Sequence, residues 1–324
     1  TLNFSDAGSG KTRAILETIL RRKKEGKSKK KAIVFAPLSI LRTAWAEDIE
    51  KWTPELTYSI AYAKNRADAI CEDVDIVITN HDAVKFLNEN RQFMPMFDTL
   101  VIDESTAYKN YSPQRAKAAR AIAPLFKYRC IMTGTPNPKS VVDLWSQVYI
   151  VDLGQRLGKN YYSFQNQVQR PVFVTPTIKQ WVDKDNAEDI VTSMISDITF
   201  RVKLEDCIDM PENIVNDITI DIDNRVRKQY EELLNDSIIE LETGTIDAVN
   251  AGARFRKLLQ MLTGQIYDRD GAPHFVHSQR YDLVIDLVEA RQQSLVAFNF
   301  KHERDKLVAL CDKKKISYGI IDGD

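Results

Sequence analysis

The sequence predicts an α/β fold built on parallel sheets, and two observations indicate it. In the first half of the chain, short apolar runs rich in Val and Ile alternate with amphipathic stretches of helical length. The apolar runs show no polar alternation, which is typical of strands buried on both faces of a parallel sheet. The amphipathic stretches stand where parallel strands need crossover helices. Helices on both faces of a parallel sheet are therefore expected.

The elements of a first domain, residues 1–150, follow from these patterns. Strands are predicted at the apolar runs Ala32–Ala36, Ile76–Thr79, Thr99–Ile102 and Tyr128–Met132. Helices are predicted between and after them, at Thr12–Arg22, Ile40–Lys51, Pro113–Ile122 and Val141–Val148. Each helix carries apolar residues at the spacing of one helical face, which would pack against the sheet.

The pattern changes after residue 150. Residues 151–210 hold aromatic, amide and charged residues without strand alternation, which predicts a mainly helical insertion and linker. Residues 211–324 predict the start of a second α/β domain. Its predicted strands are Ile214–Ile222, Ser294–Phe298 and Ser317–Ile321. Its predicted helices are one with Tyr230, Leu233, Leu234, Ile238 and Leu241 on a shared face, one near Tyr281–Arg291, and one ending at about Lys313.

Composition and charge limit the classes of function. No apolar run approaches the ~20 residues that cross a membrane, and the four cysteines form no Cys-x-x-Cys pair, so a reduced, soluble, cytoplasmic protein is expected. The net charge of −1 argues against nucleic-acid binding through an overall basic surface. Any such contact would need a local patch. The densest basic run, Arg21–Lys31, is best interpreted as solvated surface, with a phosphate-contacting loop as the alternative.

A glycine-rich segment follows the first apolar residues and opens a helix. It consists of Asp6, Ala7, Gly8, Ser9, Gly10, Lys11 and Thr12. Its glycines allow backbone N–H groups to face phosphate oxygens, and the helix N-terminus adds its positive dipole end. Lys11 would place a cation on the β- and γ-phosphates, and the Thr12 hydroxyl would ligate Mg²⁺. The strict pattern has Gly where this chain has Ser5, but strand, loop and helix together predict nucleotide binding.

Two acidic residues, Asp103 and Glu104, follow the predicted strand Thr99–Ile102. Side chains at the carboxyl edge of a parallel sheet face the crevice where ligands bind. Asp103 would hold Mg²⁺, and Glu104 would orient and deprotonate an attacking water. Alone, such a pair would be interpreted as a helix cap. With the phosphate loop upstream, a catalytic site containing Lys11 and Glu104 is the favoured interpretation.

Five segments stand in the order of the ATPase motifs of superfamily-two helicases: DAGSGKT, APLSILRTAW, DIVITNH, VIDEST and MTGTP. Within that superfamily the chain resembles the Swi/Snf-type double-stranded-DNA translocases, especially compact bacterial and phage members. Further similar segments are Ile33–Trp52, Leu144–Trp145, Phe200–Pro211, Arg256–Gln260, Val296–Phe298 and Gly319–Gly323. The resemblance implies two RecA-like P-loop lobes, the second incomplete. It also implies ATP and Mg²⁺ as cofactors and double-stranded DNA, bound without sequence preference, as partner.

The resemblance also implies roles outside the nucleotide site. Ser39, Thr79 and Asn80 would contact the DNA backbone, and Thr133 and Thr135 would relay between nucleotide and DNA. Each residue has a simpler alternative, since Ser39 could cap a helix and Thr79 could end a strand. Phosphate contacts of this kind position a protein without reading base sequence.

Two departures from the family pattern affect the expected activity. The glutamine motif that reads adenine is absent upstream of the phosphate loop. The fifth and sixth motifs, whose arginines reach the γ-phosphate, would follow Asp324. Weak ATP hydrolysis by this chain is therefore expected. The resemblance to bacterial and phage proteins implies that the protein acts in a bacterial or phage-infected cell.

Two other functions stay open. One is an RNA helicase of the DEAD-box kind, although Ser105-Thr106 after the acidic pair and GTP in place of Ser-Ala-Thr argue against it. The other is a nucleotide- or DNA-binding module without productive turnover. A P-loop kinase would need an acceptor site and a lid, which the sequence does not indicate.

Overall fold

The computed structural model describes residues 1–137, 139–173, 179–209, 211–236, 238–241, 244–247 and 251–321. The chain divides into two compact units, Thr1–Glu212 and Asn213–Asp324. Among the described residues, every helix is too short or too polar to cross a bilayer. The phosphate loop, the acidic pair and the MTGTP segment all belong to the first unit.

The described part of the first unit is built around a parallel sheet. Its strands are β1 (Leu2–Asn3), β2 (Lys31–Ala36), β3 (Tyr58–Ala61), β4 (Ile76–Asn80), β5 (Phe97–Asp103), β6 (Tyr128–Met132), β7 (Gln169–Phe173), β8 (Lys179–Asp183) and β9 (Thr199–Phe200). Seven of these described strands pair side by side in the order β3-β4-β2-β5-β6-β1-β9, and β7 and β8 form a separate antiparallel hairpin. The four strands predicted in the first domain are confirmed.

Helices cover this sheet. They are α1 (Lys11–Lys24), α2 (Glu47–Trp52), α3 (Arg66–Cys71), α4 (Ala83–Glu89), α5 (Gln114–Ile122), α6 (Asp143–Asp152), α7 (Tyr161–Val168) and α8 (Ala187–Ile195). A six-residue π-helix, Leu41–Ala46, precedes α2 directly and follows a 3₁₀ turn, Leu38–Ile40. The predicted helix Ile40–Lys51 is therefore helical, but its first half is wound more loosely than an α-helix.

The central strands are buried on both faces, which explains why their sequences lack polar alternation. In β2, Ile33 and Phe35 pack into the core on one side of the sheet, with α4 and α5. Ala32, Val34 and Ala36 pack into the core on the other side, with α1 and α2. The predicted parallel sheet between two helical layers is therefore confirmed for the first unit.

Some elements of the first unit were not indicated by sequence patterns. Strand β3 lies at the edge of the sheet. Its Ser59 can be buried because the hydroxyl donates to the Ala69 carbonyl oxygen at 2.7 Å. The segment 151–210, expected to be mainly helical, contains α7 and α8 but also the β7–β8 hairpin and β9. Strand β9 has two residues and exists through its pairing with β1, a partner far away in the sequence.

The second unit has its own small core. Its elements are α9 (Asn224–Asp236), β10 (Ile238–Leu241), β11 (Gly244–Asp247), α10 (Ala251–Leu262), β12 (Gln265–Tyr267), β13 (Pro273–Phe275), α11 (Gln279–Glu289) and α12 (Lys301–Lys314). Strands β10 and β11 form one antiparallel hairpin, and β12 and β13 form another. Buried apolar side chains from α9, α10 and β12, with Val276, make up the core.

The structure corrects several sequence predictions in the second unit. The helix predicted to include Ile238 and Leu241 ends at Asp236, and the β-branched residues after it favour the hairpin strand β10. The predicted strands Ile214–Ile222, Ser294–Phe298 and Ser317–Ile321 are wrong, because no described strand pairs with them and a strand needs such a neighbour. The predicted helices near residues 281–291 and up to 313 are confirmed. The similar segment 319–323 extends outside the described residues.

Candidate active site

Three motif segments meet at one edge of the first unit's sheet. The phosphate loop follows β1, the MTGTP segment contains the end of β6, and β5 ends at Asp103, directly before Glu104. These strands are neighbours in the order β5-β6-β1, and their carboxyl ends point the same way. A β-carbon built on Gly134 would lie 3.6 Å from the Ala7 nitrogen, so the MTGTP segment contacts the phosphate loop. The sheet thus assembles one site from residues about 100 positions apart in the sequence.

The phosphate loop has the backbone that its glycines allow. Gly8 and Gly10 have φ angles of 80° and 84°, a left-handed conformation that residues with a β-carbon avoid. Gly10 is also the cap of α1, which begins at Lys11. The unpaired N–H groups of the first helical turn therefore face the loop, where they can bind an anion.

The Lys11 ammonium group lies inside this loop. Its Nζ donates hydrogen bonds to the carbonyl oxygens of Ser5 at 2.9 Å and Asp6 at 2.8 Å. These two acceptors hold the ammonium group within the loop, next to the helix N-terminus. A bound nucleotide would offer phosphate oxygens to the same ammonium group, which is the predicted role of Lys11.

The Asp103 carboxylate is held on both oxygens. Oδ1 accepts from the Glu104 backbone N–H at 3.0 Å, and Oδ2 accepts from the Trp45 indole N–H at 3.0 Å. Burial raises the pKa of Asp103, and the nearby Lys11 charge acts in the opposite direction. The Asp103 carboxylate and the Thr12 hydroxyl are hard oxygen donors of the class that Mg²⁺ prefers, so these residues fit the predicted metal.

Glu104 is in an unusual backbone conformation for a residue with a side chain. Its φ and ψ are 53° and 59°, in the left-handed region. Its side-chain Oε1 accepts hydrogen bonds from the Thr106 hydroxyl at 2.6 Å and from the Thr133 hydroxyl at 2.9 Å. The carboxylate is therefore held between the end of β5 and the end of β6.

Thr133 joins the three motif segments. It is fully buried, and its backbone N–H donates to the Asn3 carbonyl oxygen at 3.1 Å, just before the phosphate loop. Its hydroxyl donates to Glu104 and also accepts from the Thr135 backbone N–H at 3.2 Å. The contact between Thr133 and the acidic pair fits the predicted relay. Thr135 itself is exposed.

Comparison with known proteins identifies the family. A family model described as "SNF2-related domain" matches residues 3–267. The chain belongs to the SNF2-related family. It is 29% identical to protein p41 of Acyrthosiphon pisum secondary endosymbiont phage 1, over 96% of this chain and 71% of that protein. It is 22% identical to an ATP-dependent helicase of Mycoplasma genitalium, over 98% of this chain but 30% of that protein. The predicted Swi/Snf-type resemblance is confirmed.

A solved structure shows the same fold as this SNF2-related chain. It is the Sulfolobus solfataricus SWI2/SNF2 ATPase core in complex with dsDNA, with a TM-score of 0.53 and 23% sequence identity. The likeness covers 97% of this chain and 65% of the solved chain. The predicted fold class, α/β with RecA-like P-loop lobes, is confirmed; the predicted parallel sheet is seen in the first unit, whereas the described strands of the second unit form antiparallel hairpins.

A segment far along the chain, not indicated by any local sequence pattern, contacts the phosphate loop of this SNF2-related chain. We call residues 200–204, which begin at the end of β9, the clasp segment. The Ser5 hydroxyl oxygen accepts from the Val202 N–H at 3.0 Å, and Asp6 Oδ2 accepts from the Leu204 N–H at 3.0 Å. A β-carbon on Gly8 would lie 3.5 Å from the Leu204 side chain. Ser5, the departure from the strict glycine pattern, thus binds the clasp segment.

The predicted DNA-contacting residues lie in different environments. Ser39 is exposed in the 3₁₀ turn after β2. The Asn80 side-chain oxygen accepts from the Arg66 guanidinium at 3.0 Å at the end of β4. Thr79 is buried, and its hydroxyl donates to the Ala61 carbonyl oxygen at 2.7 Å, so the geometry favours its alternative role at the end of a strand. For Ser39 and Asn80, the predicted contact with DNA remains a proposal.

The basic run Arg21–Lys31 lies away from this site. It begins with the last turn of α1, which at ~1.5 Å per residue lies about 20 Å from the phosphate loop, and continues through the following loop to the first residue of β2. Much of its charge is paired with carboxylates, in the ion pairs Arg21–Glu25, Lys23–Asp75, Lys24–Glu55 and Lys27–Glu25. Both observations favour the interpretation of this run as solvated surface.

Proposed function

We propose that this SNF2-related chain is the ATPase core of a DNA translocase, which hydrolyses Mg-ATP and uses the energy to move on or remodel double-stranded DNA. The observation that supports the proposal most strongly is the hydrogen bond between Thr133 and Glu104. It joins the predicted water-activating carboxylate to Thr133, which lies between β6 and Gly134, the residue next to the phosphate loop. Nucleotide state and the conformation of the MTGTP segment would therefore change together.

The proposed chemistry assigns one task to each side chain. Lys11 neutralises charge on the β- and γ-phosphates, and the N–H groups of the loop and of α1 orient them. Thr12 and Asp103 would hold Mg²⁺, which supplies further positive charge at the phosphates when bound. Glu104 would accept a proton from the water that attacks the γ-phosphate.

The DNA side of the proposal rests on position and on the relatives. Ser39 lies in the turn after β2, and Asn80 is the last residue of β4; the carboxyl ends of both strands lie at the same edge of the sheet as the nucleotide site. Similar proteins include one described as an ATP-dependent helicase and a solved ATPase core in complex with dsDNA. Contacts from hydroxyl and amide groups to phosphates would give binding without sequence preference.

ATP turnover with different nucleic acids tests this function directly. Rates would be measured at one salt concentration with no nucleic acid, duplex DNA, single-stranded DNA and RNA, because phosphate contacts depend strongly on salt. The largest stimulation by duplex DNA is the expected result. The largest stimulation by RNA would indicate a DEAD-box-like activity instead. Nucleotide binding with no turnover under any condition would indicate a binding module.

The variant Glu104→Gln separates binding from hydrolysis. It keeps the size of the side chain but removes the base, so hydrolysis should fall by about 10²–10⁴-fold while ATP affinity stays close to that of the wild type. Glu89→Gln is a matched control, because Glu89 is exposed at the end of α4 and loses the same charge. Equal turnover in both variants would rule out Glu104 as the base.

A further inference from the structure

A tryptophan without an assigned function touches the proposed metal-binding carboxylate. Trp45 is completely buried, and its indole N–H donates to Asp103 Oδ2 at 3.0 Å. The indole ring packs in the core between the sheet, α1 and α2. An indole nitrogen can donate one hydrogen bond and cannot accept one, and here that donor is used on a carboxylate.

The backbone around Trp45 is also unusual. Trp45 belongs to the π-helix Leu41–Ala46, which begins directly after the 3₁₀ turn Leu38–Ile40. π-Helical turns are rare and are found frequently at functional sites, because the extra residue in the turn changes the direction of a side chain. From this π-helix, which lies in the connection after β2, the Trp45 side chain reaches Asp103 at the end of β5, the strand next to β2.

The two hydrogen bonds to Asp103 fix the plane of its carboxylate. The Glu104 N–H holds Oδ1 and comes from the next residue, so it moves with Asp103. The Trp45 N–H holds Oδ2 and comes from a different element, so it fixes the carboxylate relative to the rest of the sheet. Without the indole donor, the carboxylate could rotate about its last torsion angle, which is a broad and weakly restrained one.

We propose that Trp45 is the positioning residue for the metal-binding carboxylate Asp103. The inference rests on the proposed function, because it concerns the same Mg²⁺-nucleotide site. Partners that orient a metal ligand in this way are worth about 10–100-fold in metal affinity. Trp45 does not touch nucleotide or metal in this scheme. It acts through Asp103 alone.

The variants Trp45→Phe and Trp145→Phe test the proposal as a matched pair. Trp145 is also buried in the first unit, and its indole N–H donates to the Gly158 carbonyl oxygen at 3.1 Å. Each substitution removes one indole N–H and keeps an aromatic ring, so both should lower the free energy of unfolding. Binding of a non-hydrolysable ATP analogue would be measured with EDTA and over a range of Mg²⁺ concentrations.

The expected result is specific to the metal. Trp45→Phe should raise the Mg²⁺ concentration needed for half-maximal enhancement of nucleotide binding by about 10–100-fold, with little change in affinity in EDTA. Trp145→Phe should leave both quantities unchanged. If Trp45→Phe behaves like Trp145→Phe, the positioning role is wrong while the proposed function stands. If the wild type shows no enhancement by Mg²⁺, the proposed function itself is wrong.

A measurement on the unsubstituted protein does not depend on the variant folding. With ¹⁵N-labelled indole nitrogens, each tryptophan gives an NMR signal, and the signals would be assigned from single Trp→Phe substitutions at the other tryptophans. The Trp45 signal should shift when Mg²⁺ is added to the nucleotide complex, because its acceptor becomes a metal ligand. The Trp145 signal should not shift. A Trp45 signal that is insensitive to Mg²⁺ would overturn the proposal.

Discussion

Glu104 combines a proposed catalytic task with a strained backbone. Its φ of 53° is one that residues with a β-carbon adopt at a cost of roughly 1–2 kcal/mol. The strain follows from the turn after β5, which keeps the Asp103 carboxylate next to the Glu104 N–H and places the Glu104 carboxylate within reach of Thr133. Strain of this kind is found at active sites because the surrounding structure holds a geometry that function requires.

Substitution by glycine and by alanine should measure this strain. Both substitutions remove the carboxylate, so the difference in the free energy of unfolding between Glu104→Gly and Glu104→Ala reports the cost of the left-handed backbone. We expect the glycine variant to be more stable by about 1 kcal/mol in urea unfolding, and both variants to hydrolyse ATP about 10²–10⁴-fold more slowly than the wild type.

A helical control should give the opposite sign. Glu17 is exposed in the interior of α1, where glycine is less favourable than alanine by ~1 kcal/mol. Glu17→Gly should therefore be less stable than Glu17→Ala. A Glu104→Gly protein less stable than Glu104→Ala would show that the left-handed conformation is not strained.

At the level of elements, the phosphate loop depends on a strand from much later in the chain. Strand β9 pairs with β1, and the clasp segment after it binds Ser5 and Asp6. The Asp6 backbone N–H also donates to the Val202 carbonyl oxygen at 3.0 Å. The loop is therefore held from the β9 side as well as by its own helix, which fixes the position of its N–H groups before a nucleotide binds.

Removal of the Ser5 hydroxyl should loosen the clasp segment. In Ser5→Ala the Val202 N–H loses its acceptor, and we expect the free energy of unfolding to fall by about 1 kcal/mol. Amide hydrogen exchange at Val202 should become faster. Ser163→Ala, at an exposed position of α7, is the control and should change neither quantity. Unchanged protection of the Val202 amide in Ser5→Ala would mean that the hydroxyl does not hold the clasp segment.

At the level of the whole molecule, the charge distribution predicts where DNA does not bind. The net charge is −1, and the basic run Arg21–Lys31 covers the last turn of α1 and the loop after it, far from the phosphate loop. Neutralising the exposed residues Lys29 and Lys30 should leave the dependence of DNA affinity on salt unchanged. Each phosphate contact contributes ~0.9 to the slope of log affinity against log salt on duplex DNA.

A substitution near Ser39 should change the salt dependence of DNA affinity that the Lys29 and Lys30 variant leaves unchanged. Arg42 is exposed on the π-helix that follows the Ser39 turn, at the edge of the sheet with the nucleotide site. Arg42→Gln should lower the salt slope by ~0.9 if DNA lies along this edge. A smaller slope in the Lys29 and Lys30 variant, with no change in Arg42→Gln, would place DNA at the other end of α1.

Both units should lose stability in mild acid because each contains at least one histidine whose pKa is lowered by partial or complete burial. Burial lowers the pKa of His81 to about 4, and the nearby Arg115 charge acts in the same direction. Burial also lowers the pKa of His277 and His302 in the second unit. The unfolded chain then binds more protons than the folded one below about pH 6.5, so stability is lost as the pH falls from there towards the folded pKa values.

Urea unfolding as a function of pH checks this expectation. For the first unit, the free energy of unfolding should decrease between about pH 6.5 and pH 4, and His81→Gln should make that decrease smaller. The variant loses the hydrogen bond to the Tyr108 hydroxyl at all pH values, so its curve should be lower but flatter. An equally steep curve in the variant would show that His81 does not titrate in this range.

The sequence determined the fold class and the composition of the central site. A strand buried on both faces has a continuous apolar sequence, and a left-handed loop backbone requires glycine. Local sequence patterns were therefore sufficient to predict β2, β4, β5, β6 and the phosphate loop. Residues at the ends of parallel strands also meet at one edge by necessity. The association of the phosphate loop with Asp103 and Glu104 therefore followed from their positions in the sequence.

Only the tertiary structure decided which groups bind each other across the sheet. The partners of Ser5 and Asp103 are Val202 and Trp45, and no local pattern links these positions. Thr79, predicted to reach DNA, is turned into the core because its hydroxyl meets the backbone of β3, a strand that the sequence did not indicate. The physical reason is the same in each case. A hydrogen bond between distant residues depends on strand order and backbone direction, which a single sequence pattern does not contain.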